Sequence, residues 1–227
     1  MARAPICTID GPSGSGKGTI SRAVARHAGW HLLDSGALYR LVALAGLRQG
    51  VEPSDVAAHA ALAHAMDVSF GTEPDGTERV TLFNTVVTGD LRSEEAGAGA
   101  SRVAAWPEVR AALLARQHAF ARPPGLVADG RDMGTVVFPA AELKVFLTAS
   151  PAERAQRRYK QLKDKGSDVS LAALSREIAE RDSRDATRAV SPLKPAPDAE
   201  VIDSTGLSIE QVVDRVLDAG RRRSLWR

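Results

Sequence analysis

An apolar run, Pro5 to Ile9, empties into Gly11-Pro-Ser-Gly-Ser-Gly-Lys-Gly-Thr19, and a segment of helical periodicity (Ile20, Ala23, Val24, Ala28) follows up to Gly29. Nothing else in the chain constrains its fold as tightly. Glycines at this spacing let a backbone turn sharply and approach an anion closely, amides at the following helix start point at that anion, and a lysine adds a mobile positive charge. The spacing Gly11-x4-Gly16-Lys17 fits the P-loop pattern and implies a nucleoside triphosphate held by Gly11, Pro12, Ser13, Gly14, Ser15, Gly16, Lys17, Gly18 and Thr19. The hydroxyl that normally follows the lysine is displaced: Gly18 stands there and Thr19 comes one residue later.

The rest of the 227-residue chain alternates strand and helix patterns. Trp30–Leu33, Leu126–Asp129, Leu143–Thr148 and Val201-Ile202 read as further strands, each followed by a polar turn and a helical stretch. The pattern predicts an α/β fold, a doubly wound five-stranded parallel sheet whose ligands bind outside the carboxyl ends of the strands. Helix starts are expected at Ser54, Ser150 (with Glu153 as a capping box), Pro107 and Ser208. One stretch breaks the alternation: Val68–Phe70, Arg79–Phe83 and Val86-Val87 are short strand-like runs, with Glu73-Pro-Asp-Gly76 as a hairpin turn. Residues 67–92 are therefore expected to be a small β-rich insert in a core made of 1–66 and 93–227.

Several side chains fall on the expected ligand edge. Asp129 closes an apolar strand, where a P-loop protein holds magnesium or its water shell; a turn-capping aspartate before Gly130 is the alternative. Asp10 carries the same ambiguity. Asp34-Ser-Gly-Ala-Leu-Tyr-Arg40 places Ser35 at a helix start with Tyr39 and Arg40 one turn on, a suitable grip for a second phosphate. Arg181, Asp185 and Arg188 share a helix face by spacing, and Arg154, Arg157 and Arg158 cluster on the preceding helix. Such runs are commonly solvated faces, but beside a P-loop guanidinium groups suit a transferring phosphoryl. Arg221 to Arg223 end the last helix, where cations offset the dipole, and take no functional role.

Taken together, Ile9–Thr19, Leu32–Arg40, Asp129-Gly-Arg-Asp-Met-Gly-Thr135, Arg181–Asp185 and Asp203-Ser-Thr205 resemble the bacterial cytidylate kinases nearly end to end. The resemblance implies a P-loop nucleoside monophosphate kinase that moves a phosphoryl group from ATP to CMP or dCMP with Mg2+. By position it implies a cytosine site from Ser101, Arg110 and Asp132, and ribose contacts from Asp185 and Arg181. It further implies acceptor-phosphate contacts from Ser13, Tyr39, Arg40, Arg131 and Arg188, with Ser35 beside them. ATP would also meet Arg154, Arg157 and Arg158. Lys17, Arg131, Arg181, Arg188 and Asp129 would carry the catalysis, and Thr19 and Asp129 would hold the metal. The β-rich island resembles the monophosphate-binding insert of that family, and the resemblance implies a helical lid at about 154–182.

Competing readings fit less well. A kinase for UMP, AMP or a non-nucleotide acceptor shares the scaffold. A GTPase switch would need an Asn/Thr-Lys-x-Asp motif, yet the only asparagine is Asn84, followed by threonine. Nucleic acid is not expected as a partner, since thirty basic against twenty-eight acidic residues give +2 and aromatics are 4%. The five histidines lack metal-ligand spacing, and the lone Cys7 excludes an internal disulfide and fits a reducing cytosol. With no membrane-length apolar stretch the chain is expected to stay in solution, and the resemblance implies a monomer of the cytoplasm.

Overall fold

The computed structural model describes residues 3–73, 78–164 and 166–226. They fall into two compact units, Met1–Asp34 with Gln117–Arg227 and Ser35–Arg116. The first unit is built on a five-stranded sheet of order β2-β6-β1-β7-β8, from β1 (Ile6–Asp10), β2 (His31–Asp34), β6 (Leu126–Gly130), β7 (Leu143–Thr148) and β8 (Glu200–Asp203). Every pair is parallel. The sheet and its flanking helices are the α/β architecture that the alternating pattern predicts. β1 is central, and the chain leaves it first toward β2 and later toward β7 and β8, which makes its carboxyl end the switch point where such sheets bind ligands.

β1 is wholly buried, which explains why it reads as a continuous apolar run rather than an alternating one. Two helices, α1 (Lys17–Ala28) and α8 (Ile209–Arg222), bury Ile20, Val24, Val212 and Val216 against Ile9, Val127, Val145 and Leu147. Gly29 ends α1 in the left-handed conformation, φ 66°, and its N–H closes the last turn. Ser208 caps α8 with a full capping box to Gln211. At Ser150, which caps α6 (Pro151–Lys163), the hydroxyl accepts from the Glu153 amide. α7 (Leu171–Thr187) follows, and the proline-bearing stretch after it is irregular up to β8.

The second unit holds α2 (Ser35–Arg48), α3 (Val56–Ala65), α4 (Glu94–Val103), most of α5 (Pro107–His118) and an antiparallel sheet. That sheet consists of β3 (Val68–Thr72), β4 (Glu78–Leu82) and β5 (Thr85–Val86). The compact unit is thus wider than the 67–92 island, because the apolar face of α2 packs on α4 and draws the surrounding helices into one core. The hairpin tip assigned to Glu73–Gly76 lies mostly outside the described residues. α3 is capped by Asp55, whose carboxylate accepts from the Ala58 amide, and not by Ser54. Both residues suit an N-cap; a one-residue shift is within what a cap-rich sequence leaves open. Among the described residues no helix is long and apolar enough to cross a membrane.

Leu147 is fully buried between β1 and β8. Leu147→Ala is expected to lower the unfolding free energy by about 2–5 kcal/mol through lost transfer energy plus a cavity. Urea denaturation monitored by far-UV circular dichroism checks it; a loss below about 1 kcal/mol means the site collapses freely.

Candidate active site

The loop between β1 and α1 is shaped by what glycine alone permits. A Cβ at Gly11 would lie 2.0 Å from the Leu147 carbonyl oxygen, so the loop leaves the sheet closer to β7 than any side chain allows. Gly16, the residue before α1, has φ 89°, and no side chain caps the helix. The Thr19 amide turns back to the Gly16 carbonyl at 3.0 Å, and the start of the helix, with the positive end of its dipole, suits an anion. Lys17 opens α1, and its Nζ donates to the Pro12 carbonyl at 3.2 Å, folding the ammonium back over the loop.

Register brings the acids together. Asp34 on β2 pairs with Asp129 on β6, and Asp10 on β1 pairs with Gly130. Burial pushes the Lys17 ammonium well below the usual lysine range, as do Arg131 and Arg181, while Asp129 and Asp34 oppose the shift. Asp129 moves the other way: burial pushes its carboxyl up, with Asp34 adding to the rise and Lys17 and Arg131 opposing it. Lys17 therefore lies in the field of both Arg131 and Arg181. The residue-18 position faces Asp129: a Cβ there would be 3.3 Å from Oδ2. Thr19, assigned to the metal with Asp129, is exposed.

The turn after β6 and helix α7 meet through an ion pair. Arg131 Nε donates to Asp185 Oδ2 at 2.9 Å, and Asp185 is buried. Although burial alone would raise it, Arg131, then Arg181 and Arg188, hold the Asp185 carboxyl below the usual range. Three guanidinium groups thus converge on one carboxylate. Arg188 is not on the helix face predicted from spacing; it follows the last residue of α7 with extended backbone, and its Nε donates to the Ser191 carbonyl. The helix stops because Arg188 leads into a proline-interrupted segment, yet the arginine still reaches the cluster.

Arg154, Arg157 and Arg158 were assigned to ATP as a group, and the structure separates them. Arg154 is buried and donates to the Ser13 carbonyl at 3.0 Å, to the Ala149 carbonyl at 3.1 Å and, as a fork, to both Asp182 oxygens. Arg157 donates to the Ser15 carbonyl and grips the Ser204 hydroxyl and carbonyl. These two brace the loop backbone, while Arg158 is bonded to Gln161 on its own helix. Sequence reasoning missed Asp182 and Ser204; Ser204 lay in the quoted Asp203-Ser-Thr205 stretch, but nothing in spacing tells that it meets the loop.

The second unit holds its own cluster. Tyr39 is buried on α2 with the Arg110 guanidinium carbon 5.7 Å from its ring centroid, a cation–π distance, and Arg110 is itself buried and donates to the Ala104 carbonyl. Arg40 donates to the Leu91 carbonyl at 2.6 Å. Ser35 is buried at the start of α2. The Ser101 hydroxyl on α4 is buried with no hydrogen-bond partner among the described residues. A buried hydroxyl in that state is costly unless a ligand satisfies it.

A Walker-type loop with a half-buried lysine, a strand-end acid and a guanidinium cluster defines a P-loop phosphotransferase. Residues 7–222 match the cytidylate kinase family model. The chain is 58% identical over 217 residues to the cytidylate kinase of Shewanella denitrificans, covering 95% of this chain and 96% of that one. It is 60% identical over 216 residues to the cytidylate kinase of Pseudomonas fluorescens, covering 95% and 94%. A gluconokinase structure from Sinorhizobium meliloti aligns with TM-score 0.48 at 15% identity, over 97% of this chain and 93% of that one. The chain belongs to the cytidylate kinase family.

Asp182→Ala leaves the Arg154 guanidinium buried without its carboxylate and is expected to cost about 2–4 kcal/mol. Arg158→Ala, at a surface position, should change stability by less than about 0.5 kcal/mol. Thermal unfolding of both variants checks the contrast, and equal losses would refute the division of roles.

Proposed function

We propose that this protein transfers the γ-phosphoryl group of ATP to CMP and dCMP, giving ADP with CDP or dCDP. One observation carries the mechanism: Arg131 and Arg181 both act on the charge of Lys17, which opens the helix after the glycine loop. The acceptor phosphate is already an ionised nucleophile, so no strong base is required, and the task is to align two polyanions in line and offset their repulsion. Gly11 to Thr19 hold the donor phosphates. Lys17, Arg131, Arg181 and Arg188 stabilise the charge that spreads over the transferring group.

Asp129 with Thr19 would hold magnesium. Among the described residues no three His, Cys, Asp or Glu side chains form a cage for a metal, and a single strand-end carboxylate suits an ion whose other ligands are phosphates and water. Bound there, the ion neutralises donor phosphate charge. For the acceptor, Ser13, Tyr39, Arg40, Arg131 and Arg188 are assigned to the phosphate with Ser35 beside them, Asp185 and Arg181 to the ribose, and Ser101, Arg110 and Asp132 to cytosine. The unpartnered Ser101 hydroxyl supports the last assignment. A base lacking the matching donors and acceptors would leave such groups unpaired. Residues 67–92 are assigned to acceptor binding and about 154–182 to a lid, closing before transfer so that water does not intercept the phosphoryl group. We further propose a monomeric enzyme of the cytoplasm; the single, buried thiol of Cys7 supports a reducing compartment.

ADP production from magnesium-ATP with CMP, dCMP, UMP, AMP and GMP at matched concentrations is expected to be fastest with CMP or dCMP; equal rates on all five refute a dedicated cytosine site. Lys17→Ala and Arg188→Ala should each lower kcat about 10^2–10^3-fold with folding intact. Near-normal turnover by a folded Arg188→Ala enzyme removes that residue from the site.

A further inference from the structure

The glycine loop departs from the usual P-loop pattern at one place, where Gly18 stands in the position of the hydroxyl that normally follows the lysine. A Cβ there would lie 3.3 Å from Asp129 Oδ2 and 3.6 Å from Arg22 Nη2, so the missing side chain leaves a space that a carboxylate and a guanidinium both border. Arg22 is one turn further along α1 and on the same face, and side chains on a helix lean toward its N-terminus. Its guanidinium therefore covers the first turn rather than its own. Arg22 is exposed, among the described residues its guanidinium makes no hydrogen bond or ion pair, and its charge favours the ionised form of Asp129.

That is an unfavourable place for a cation on its own. The positive end of a helix dipole is commonly offset by an acid in the first turn, but α1 has none there; it begins with Lys17, and Arg22 brings a second positive charge to the same end. One carboxylate, Asp129, balances at most one of them. We propose that Arg22 is a further binding residue for the donor triphosphate, brought to the start of α1 by the absence of a side chain at Gly18. This rests on the assignment of Gly11 to Thr19 to ATP made above. A polyphosphate at the start of α1 meets the charge of Arg22 as well as that of Lys17. A serine at position 18 would fill the space between carboxylate and guanidinium, so the glycine and the arginine act as one device. The competing reading, an arginine solvated on a helix surface, leaves ATP binding unaffected by its removal.

Isothermal titration of the full chain with ATP in EDTA gives the test, because without a divalent metal the side chains alone offset the phosphate charge. Arg22→Gln, which keeps helix propensity but not charge, is expected to raise the Kd for ATP at least about 3-fold, the size of one exposed charge pair, while Arg22→Lys raises it less than about 2-fold. In both variants the Kd for CMP should stay within about 2-fold of the parent and the thermal midpoint within about 3 °C, since position 22 is exposed. An unchanged ATP Kd in Arg22→Gln, an equal loss in both variants, or a CMP Kd that rises with that for ATP overturns the inference. In a Gly18→Ser background, where the space is filled, Arg22→Gln should lose its effect; a loss as large as in the parent background overturns the inference too. Lys17→Ala is the control for the assignment beneath it. If that variant weakens ATP binding and Arg22→Gln does not, the inference alone fails; if Lys17→Ala binds ATP like the parent, the assignment and the inference both fail.

Discussion

An ammonium group held under a glycine loop beside an acid and two guanidinium groups is the constraint on which the rest of this molecule depends. Burial and the nearby Arg131 and Arg181 disfavour the charge on Lys17, and burial with the nearby Asp34 disfavours that on Asp129. The arrangement is tolerable because a parallel sheet fixes the backbone at one edge, and because Asp129 and Asp34, aligned by register, offset part of the positive charge. A triphosphate and a monophosphate convert that cost into binding, since the anions supply what the protein lacks. The fold holds the charges in place beforehand, so little reorganisation is left for the moment of transfer.

Much of this was legible in the sequence because it is local. A strand, a glycine loop and a helix are adjacent in the chain, and the five apolar runs with their intervening periodicity name the sheet. Asp129 was readable as the acid at a strand end because strand ends are marked by where the apolar run stops. What the sequence left dark is non-local. Arg154 and Arg157 look like ligand arginines by composition, and only the folded chain places them against the Ser13 and Ser15 carbonyls. Spacing put Arg188 on a helix, whereas the helix ends one residue earlier; periodicity counts residues but does not see where backbone hydrogen bonding stops. Ser101 shows the reverse case: an alanine-rich helix gives no sign of it, its assignment to the base rests on resemblance, and its buried, unpartnered hydroxyl supports that assignment.

The supporting interactions share a pattern. Three of them run from a side chain to backbone distant in sequence, Arg154 to Ser13, Arg157 to Ser15 and Ser204, and Asp10 to Met133 and Gly134, alongside side-chain pairs such as Arg154 with Asp182. Backbone bracing leaves the side chains of the braced segment uncommitted. A site built on side chain to side chain pairs alone would have to break them when substrate arrives.

Arg131 is where that distinction is sharpest, because it is both braced and chemically active in the proposed mechanism. A guanidinium carries five N–H donors in a planar fork. Asp185 engages it through Nε, at the base of the fork, with the carboxylate held below the usual range and therefore charged across the working pH. That contact sets the plane of the guanidinium while the two terminal nitrogens, the pair that meets a phosphate bidentately, are not what Asp185 occupies. A carboxylate gripping the terminal nitrogens would neutralise the arginine where its charge is needed; one gripping Nε orients it instead. The same aspartate also lies in the field of Arg181 and Arg188, so a single buried acid holds three cations together against their mutual repulsion in a protein awaiting an anion to do the rest.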